Sequence, residues 1–207
     1  MVLVDYEEGK KLLDKYKINS IESKYINSID EVFKFSDSLN NDDVALKVIS
    51  QNPEALHKSR EGLVLLNLKT KEELESAYKQ LIKKAEKFKP YKILAQKMVR
   101  GIEIIIGGKT DQQFGKIILL GLGGVYVEIL KDFQLRICPI STNDADEMIE
   151  NLKSKQIILN NIKKEKIINL LLNASKLFFE NNIQELDLNP IIIYDNKLEA
   201  VDIRIMR

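Results

Sequence analysis

Two short apolar runs near the C-terminus each carry a pair of polar residues two positions apart. The pairs are Asp187 with Asn189, and Asp202 with Arg204. Alternate residues of a strand share a face, so each pair would point one way. If the runs pair as a hairpin through the polar turn at residues 195–196, three oxygen side chains and a guanidinium converge. Such hard oxygen ligands suit Mg²⁺, which takes one or two carboxylates plus substrate phosphates. A solvated polar face on an ordinary hairpin is the alternative.

Basic residues in two upstream segments could take part in phosphate chemistry. His57 is the only histidine, and Lys58 and Arg60 beside it are cations suited to phosphate. A neutral imidazole can act as a nucleophile near pH 7, although a surface histidine is the alternative. Lys47 interrupts an apolar, strand-like run, so it either faces solvent on an edge strand or reaches a ligand phosphate.

Glycines concentrate in one part of the chain, with seven of the nine between Gly101 and Gly124. The run at 121–124 is followed by strand-like alternation at 125–129, which excludes a dinucleotide fingerprint because no helix follows. Several tight turns between strands are expected here. The run at 121–124 predicts either a flap whose backbone N–H groups lie over phosphates or a plain hairpin turn.

The composition is that of an ordinary globular protein. The chain has 207 residues, 44% hydrophobic and 30% charged, enough for one large domain or two small lobes. A net charge of +1 produces no long-range electrostatic field that would attract nucleic acid or a membrane surface. The single cysteine, Cys138, excludes a disulfide framework and a cysteine zinc site. No apolar run approaches the roughly 18 residues of a membrane span, and the N-terminus is unlike a signal peptide, so a cytoplasmic location is expected.

Helical and strand-like segments alternate without a regular repeat, which predicts an α+β fold. Thr70 with Glu72 and Glu73 is typical of a helix N-terminus. Helices are predicted at 5–17, 29–38, 71–88, 144–153 and 164–181, and strands at 44–49, 63–68, 102–106, 116–120, 125–130 and 134–140, before the terminal hairpin.

Several ordered segments together carry a family resemblance. They are Lys47, the loop His57-Lys58-Ser59, residues 96–107 (QKMVRGIEIIIG), residues 111–115 (DQQFG), residues 121–132 (GLGGVYVEILKD) with Arg136, and Asp187-Leu188-Asn189-Pro190 with Asp202. In this order they resemble the ATP-grasp subunit of NDP-forming acyl-CoA synthetases, most closely the beta subunit of the ADP-forming acetyl-CoA synthetases. The likeness covers nearly the whole chain.

The resemblance implies an ATP-grasp fold, in which two α+β lobes hold ATP or ADP with Mg²⁺ between them. Residues 1–207 would form one such domain, with a small lobe at 20–95 and a large lobe at 96–207 plus the N-terminal helix. Roles follow for the matching residues. The nucleotide would be bound by Lys47 at its phosphates, by Leu94, Ala95, Gln96 and Lys97 along the adenine, and by Glu103 on the ribose side, with Gly123 and Gly124 covering it. Mg²⁺ would be held by Asn189 and Asp202, with Asp187 close by. Arg136 and Arg204 would lie near the transferred phosphoryl group, and His57 would accept phosphate in a relay.

The implied activity is phosphoryl transfer between ATP or ADP and a phosphohistidine on a CoA-binding alpha subunit, in an α2β2 assembly. The chain has no room for a CoA-binding domain of its own. Arg60 stands where the family has an acidic residue, and Leu63 stands where it has a second glycine. These departures keep open a nucleotide-binding accessory subunit without turnover. A succinyl-CoA-synthetase-like subunit is a third alternative.

Overall fold

The computed structural model describes residues 1–40, 42–50, 52, 62–124 and 132–207. The chain divides into two compact units, one of residues 1–20 with 100–207 and the other of residues 21–99. Within the described residues, no helix combines the length and apolar character needed to cross a membrane. In chain order the elements are α1 (Tyr6–Lys15), β1 (Ser23–Ile26), α2 (Ile29–Ser38), β2 (Val44–Ser50), β3 (Val64–Leu68), α3 (Lys71–Ala85) with a 3₁₀ turn (Glu86–Phe88), β4 (Tyr91–Lys97), β5 (Ile102–Asp111), β6 (Gly115–Leu122), β7 (Phe133–Ile137), α4 (Thr142–Glu150), α5 (Lys155–Leu159), α6 (Lys164–Glu180), β8 (Glu185–Tyr194), β9 (Lys197–Ala200) and β10 (Ile203–Met206).

The unit of residues 21–99 is a four-stranded antiparallel sheet in the order β1-β4-β2-β3, with α2 and α3 packed on one face. Val44, Leu46 and Val48 of β2 point into this helix-covered core. The helix predicted after Thr70 begins there, since the Thr70 side chain accepts the Glu73 N–H at 3.2 Å and Glu73 accepts the Thr70 N–H at 3.1 Å. The alternate residues of β2 and β4 therefore face the other way.

The second unit is built on a six-stranded sheet in the order β10-β8-β5-β6-β7, with β9 also paired to β8. Ile104, Ile106 and Leu120 are fully buried on the face contacted by α6. The alternate residues of the same strands, such as Ile105 and Leu119, are only partly buried. We call this second face, directed away from α6, the open face.

The glycine-rich region contains fewer turns than the sequence suggests. Gly107 and Gly108 lie inside β5, which extends to Asp111, and Gly121 lies inside β6. A Cβ on Gly108 would come within 3.0 to 3.1 Å of ring carbons of Phe178, so glycine here permits close packing of α6 on the sheet. The several tight turns expected in this region are therefore fewer than predicted, and at Gly108 the reason is helix packing rather than chain reversal.

The C-terminal hairpin forms with one register throughout β8, β9 and β10. Asp195 and Asn196 form its two-residue turn with φ of 46° and 55°, which matches a type I′ turn. The hairpin predicted from the two polar-bearing runs is confirmed. The predicted strand at 125–130 lies outside the described residues. The structure also contains two elements that were not predicted from the sequence, β1 and α5.

The N-terminal segment joins the sheet of the second unit. Leu3 bridges Met206, and the Val2 and Arg207 backbones exchange hydrogen bonds of 2.6 and 2.9 Å. Leu13 of α1 is fully buried, and α1 contacts β10. The start of the chain thus supports the strand that carries Arg204.

Candidate functional site

The terminal hairpin brings four polar residues to the open face as two aligned pairs. Asp187 of β8 pairs directly with Arg204 of β10. The same register holds on both sides, from Leu188 with Ile203 to Ile191 with Ala200, and the Val201 N–H donates to the Pro190 carbonyl oxygen at 2.9 Å. We therefore infer that Asn189 lies opposite Asp202. Directly opposite residues in an antiparallel ladder have Cβ atoms about 4.5 to 5.5 Å apart and share a face. Three oxygen side chains and one guanidinium therefore meet within a small area.

The Asp187 carboxyl has an unfavourable setting for its charge. Burial raises its pKa above the ordinary aspartate value, and the nearby carboxylates of Asp202 and Glu185 act in the same direction. The opposing Arg204 charge lowers the pKa but does not cancel the effect of burial. A bound cation or hydrogen-bond donor would therefore stabilise the ionised form of Asp187.

Arg204 carries a buried donor that the described part of the chain leaves unsatisfied. Its Nε is buried, and no hydrogen-bond partner for it is found among the described residues. An unsatisfied buried donor costs about 1 to 3 kcal/mol, so such a group in a folded protein calls for an explanation. A phosphate oxygen would provide a charge-assisted acceptor. The guanidinium is suited to an anionic ligand.

A hollow of about 460 Å³ on the open face adjoins this pair. Its floor is formed by two glycines of β5, one wall is apolar, and one end is charged. The charged end contains Asp187 and Arg204. The other main lining residues are Gly107 and Gly108 on the floor, Ile105, Ile117, Leu119 and Leu135 on the apolar wall, and Lys109 and Glu185 beside the charged end.

Glu103 lies against the glycine pair at the end of β6. The Gly123 N–H donates to the Glu103 carbonyl oxygen at 2.6 Å. A Cβ on Gly123 would lie 2.8 Å from the Glu103 Cβ, and one on Gly124 would lie 3.1 Å from the Glu103 Oε2. Gly124 has a φ of +71°, a conformation that favours glycine. The absence of a Cβ at both glycines thus lets the Glu103 side chain lie directly against their backbone.

In the unit of residues 21–99, a separate group of predicted residues shares the face opposite the helices. Lys47 is buried, with 6% of its surface exposed, and pairs with Leu94 across the sheet. Gln96, two residues along β4, faces the same way and is also buried. Ala95 packs into the helix-covered core, and Lys97 makes a 2.6 Å ion pair with Asp42. Ala95 could therefore contact a nucleotide only through backbone atoms.

Comparison with known proteins identifies the family. The model of the ATP-grasp domain matches residues 2–206. The beta subunit of ADP-forming acetate–CoA ligase II from Pyrococcus furiosus is 37% identical over 204 residues, covering 93% of this chain and 85% of that protein. This chain belongs to the ATP-grasp family, among the beta subunits of ADP-forming acetate–CoA ligases.

Two further relatives extend the comparison. The ADP-forming acetate–CoA ligase I of Archaeoglobus fulgidus is 37% identical over 211 residues, which cover 96% of this chain but 30% of that protein. The dinucleotide-forming acetyl-CoA synthetase 1 of Ca. Korarchaeum cryptofilum was solved with coenzyme A and Mg-AMPPCP, its phosphohistidine segment pointing towards the nucleotide binding site. It superposes with a TM-score of 0.81 at 33% identity, covering 99% of this chain and 92% of that chain. The predicted α+β ATP-grasp fold is confirmed.

Among the described residues predicted for the site in the second unit, Arg136 does not lie on the open face. Arg136 pairs in register with the buried Ile118, so it lies on the helix-covered face of the sheet. Its guanidinium makes a 3.2 Å ion pair with Glu147 of α4. The expectation that Arg136 and Arg204 flank one phosphoryl group does not fit this placement, because alternate residues of β7 point to opposite faces.

Other parts of the predicted ATP-grasp site cannot be placed. His57, with the rest of its loop from residue 53 to 61, lies outside the described residues. The segment 125–131 after the glycine pair lies outside them as well. The relay role of His57 therefore stays a prediction.

Sequence reasoning missed the hollow and its charged rim. Glu185 follows the same two-residue spacing as Asp187 and Asn189, so strand alternation alone could have added it. Gly107 and Gly108 gave no such signal, because their use as the floor of a hollow depends on the neighbouring strands. Lys109 pairs with Glu185 across β5 and β8, a contact that only the register reveals.

Proposed function

We propose that this chain is the nucleotide-binding subunit of an ADP-forming acyl-CoA synthetase, acting on acetate or a similar acid. It would transfer a phosphoryl group between ATP or ADP and a phosphohistidine on a CoA-binding partner subunit. The observation that carries the proposal is the alignment of Asn189 with Asp202 and of Asp187 with Arg204 on the open face. Relatives that cover most of the chain are named as beta subunits of this enzyme, which supports it.

Nucleotide binding is assigned to two groups of residues, each described within its own unit. Glu103 is suited to accept hydrogen bonds from ribose hydroxyls, and the exposed Gly124 beside it lets the backbone approach the nucleotide closely. Lys47 provides a buried cation for phosphates. Leu94 and Gln96, on the same sheet face as Lys47, are assigned to the adenine.

Asn189 and Asp202 are assigned to Mg²⁺. Their oxygens are the hard donors that this ion prefers, and their alignment across the hairpin lets one ion reach both. Among the described residues, no group of three or more His, Cys, Asp or Glu is placed to hold a metal by itself. That donor set fits an ion shared with nucleotide phosphates. Mg²⁺ bound there would neutralise phosphate charge during transfer.

Arg204 and Asp187 are assigned to the phosphoryl group and its carrier. The unsatisfied Nε of Arg204 would donate to an oxygen of the transferred group. In the direction of ATP synthesis, the phosphorus–nitrogen bond breaks and its electron pair stays on the ring nitrogen. A phosphorus–oxygen bond forms with a terminal β-phosphate oxygen of ADP. Asp187 would accept the N–H of the second ring nitrogen, so that the ring leaves as neutral imidazole.

The proposed partner is a CoA-binding alpha subunit that carries the phosphohistidine, in an α2β2 assembly. This chain matches only 30% of the Archaeoglobus fulgidus relative, so most of that protein consists of other segments. This supports the proposal that a separate chain supplies CoA binding here. His57 is proposed to accept the phosphoryl group during the relay, and a cytoplasmic location is proposed from the single cysteine.

A second candidate is an accessory subunit that binds nucleotide without turnover. The specific observations in its favour are Arg60 in the His57 loop and the ion pair that holds Arg136 away from the open face. Both candidates bind Mg-ADP. Only the first forms labelled ATP when given ADP and the phosphorylated partner.

Mg-ADP binding tests the metal assignment. At about 100 times its dissociation constant, Mg-ADP should stabilise the wild type by roughly 2.7 kcal/mol, measured as a shift in thermal or urea unfolding. Asn189→Ala with Asp202→Ala should abolish this Mg²⁺-dependent gain and leave unliganded stability nearly unchanged, because Asn189 is exposed and Asp202 only partly buried. The matched control is Asn182→Ala with Asp14→Ala, an exposed amide and carboxylate elsewhere in the unit. Equal stabilisation of both double variants by Mg-ADP would remove the assignment.

A further inference from the structure

Strand β7, which ends the strand order of the sheet among the described residues, exposes a row of three large apolar side chains. Phe133, Leu135 and Ile137 are 42%, 47% and 57% exposed. They occupy alternate positions and therefore share one face of the strand. We call these residues the β7 strip. Exposed apolar side chains are common singly, whereas a contiguous row is typical of an interaction site.

The β7 strip belongs to the open face of the sheet. Leu135 pairs in register with Leu119, and Ile137 pairs with Ile117, both of which line the hollow. The intervening residues of β7 point to the helices, where Gln134 donates to the Asn151 carbonyl at 3.2 Å. The apolar wall of the hollow and the β7 strip therefore form one continuous surface.

This surface leads from the edge of the sheet to the unsatisfied donor of Arg204. Leu135 and Arg204 both line the hollow, at opposite ends of the strand order β10-β8-β5-β6-β7. Neighbouring strands lie about 4.8 Å apart, so four steps span about 19 Å. A ligand filling this surface needs an anionic tip for Arg204 and an apolar body behind the tip.

Along the strand direction, this surface is separated from Glu103, the residue assigned to the ribose. Glu103 pairs with Ile192, whereas Gly107, which lines the hollow, pairs with Asp187. These two ladder positions are roughly 13 to 16 Å apart at about 3.3 Å per residue. The Asn189 position lies between them on β8. The hollow thus shares Asp187 and Arg204 with the proposed phosphoryl site and extends from them on the side away from Glu103.

We infer that the β7 strip and the hollow form the docking surface for the partner-subunit segment that carries the phosphohistidine. The segment would lay apolar residues on Leu135 and Ile137 and bring its phosphorylated imidazole to Arg204. The inference rests on the proposed function, because that function needs a partner group beside Arg204. Charge complementarity between the phosphoryl group and the Arg204 guanidinium, whose Nε is unsatisfied, supports this occupant. Docking would also exclude water while the phosphoryl group moves from the ring nitrogen to ADP.

The test uses a double variant, Leu135→Ser together with Ile137→Ser, which we call the strip variant, and a matched control. The control is Ile157→Ser with Phe179→Ser, since these residues are each 50% exposed but lie on helices α5 and α6. The donor is the CoA-binding subunit, phosphorylated with acetyl-CoA and ³²P-labelled phosphate. The rate of labelled ATP formation from Mg-ADP is measured at increasing donor concentration.

The strip variant should need about tenfold more donor for half-maximal rate, with the maximal rate and Mg-ADP binding unchanged. The control variant should behave as the wild type. An unchanged half-saturating donor concentration in the strip variant would overturn the inference. A wild type that binds Mg-ADP but forms no labelled ATP would instead defeat the proposed function, and the docking inference with it.

Amide hydrogen exchange provides a readout independent of turnover. Adding the phosphorylated donor should slow exchange in β7 of the wild type and of the control variant. Sedimentation of the chain alone addresses the other occupant, a second copy. Concentration-dependent dimers that the strip substitutions abolish would assign the surface to self-association and overturn the inference.

Discussion

The most informative single residue is Asp187, whose setting combines burial with a neighbouring cation. Burial dominates, so the pKa of its carboxyl is raised. The folded state then binds more protons than the unfolded chain above the ordinary aspartate pKa of about 3.9. Stability therefore falls as pH rises through the interval between the ordinary and the raised pKa. The protein retains a carboxylate that weakens the unliganded fold, as is common at functional sites.

Asp187→Asn should increase the free energy of unfolding at neutral pH and have little effect below about pH 3.9. The measurement is urea unfolding of both proteins across this range. Asp111→Asn is the control, and its free energy of unfolding should change in the opposite direction. The pKa of Asp111 is lowered because its carboxylate accepts the N–H groups of Phe114 and Gln113, so its removal should cost stability at neutral pH. A loss of stability in Asp187→Asn at pH 7 would mean that attraction to Arg204 outweighs burial.

At the scale of elements, α6 depends on a cation supplied by the sheet. The last turn of α6 contains no basic residue. Lys116 of β6 instead donates from Nζ to the carbonyl oxygens of Phe178 at 2.6 Å, Asn181 at 2.5 Å and Phe179 at 3.3 Å. These carbonyls form the negative end of the helix dipole. The contact ties the helix to the sheet whose other face carries the candidate site.

Lys116→Met should lower the free energy of unfolding by about 1 to 3 kcal/mol, the usual range for losing hydrogen bonds to a charged group. Amide exchange near residues 178–181 should become faster. Lys176→Met, on the exposed side of α6, is the control and should stay within about 0.5 kcal/mol of the wild type. Equal effects of the two substitutions would show that the Lys116 contacts add no net stability.

At the scale of the whole molecule, the chain start and end are joined in one unit. Residues 1–20 pack with residues 100–207, and α1 contacts β10 two strands from β5. The support of Arg204 therefore depends on a segment almost the full chain length away. Residues 21–99 hold a separate core between α2, α3 and their own sheet.

Leu13→Ala should cost about 2 to 5 kcal/mol, because it empties a fully buried site between α1 and its neighbours. Amide exchange should rise in β10 before it rises in the strands of residues 21–99. Lys11→Ala, on the exposed side of α1, is the control. Uniform loosening of both units in Leu13→Ala would argue that the two cores unfold as one.

The amino-acid sequence by itself determined the features that depend on local pattern. Apolar periodicity and the Thr70 cap located the main helices, and two-residue spacing placed Asp187 with Asn189 and Asp202 with Arg204. The polar turn at residues 195–196 then implied the hairpin that joins these pairs. Such features follow from neighbours along the chain, so they can be read without knowing the packing.

Only the tertiary structure decided which face of each strand is covered. The covering of one sheet face by α6 and α4 puts Arg136 with Glu147 and leaves Arg204 on the open face, although both arginines lie on strands. It also makes Gly108 a packing residue against Phe178 and Gly107 part of a hollow, where the sequence suggested turns. These outcomes depend on strand register and helix packing between distant segments, and local sequence carries no signal for either.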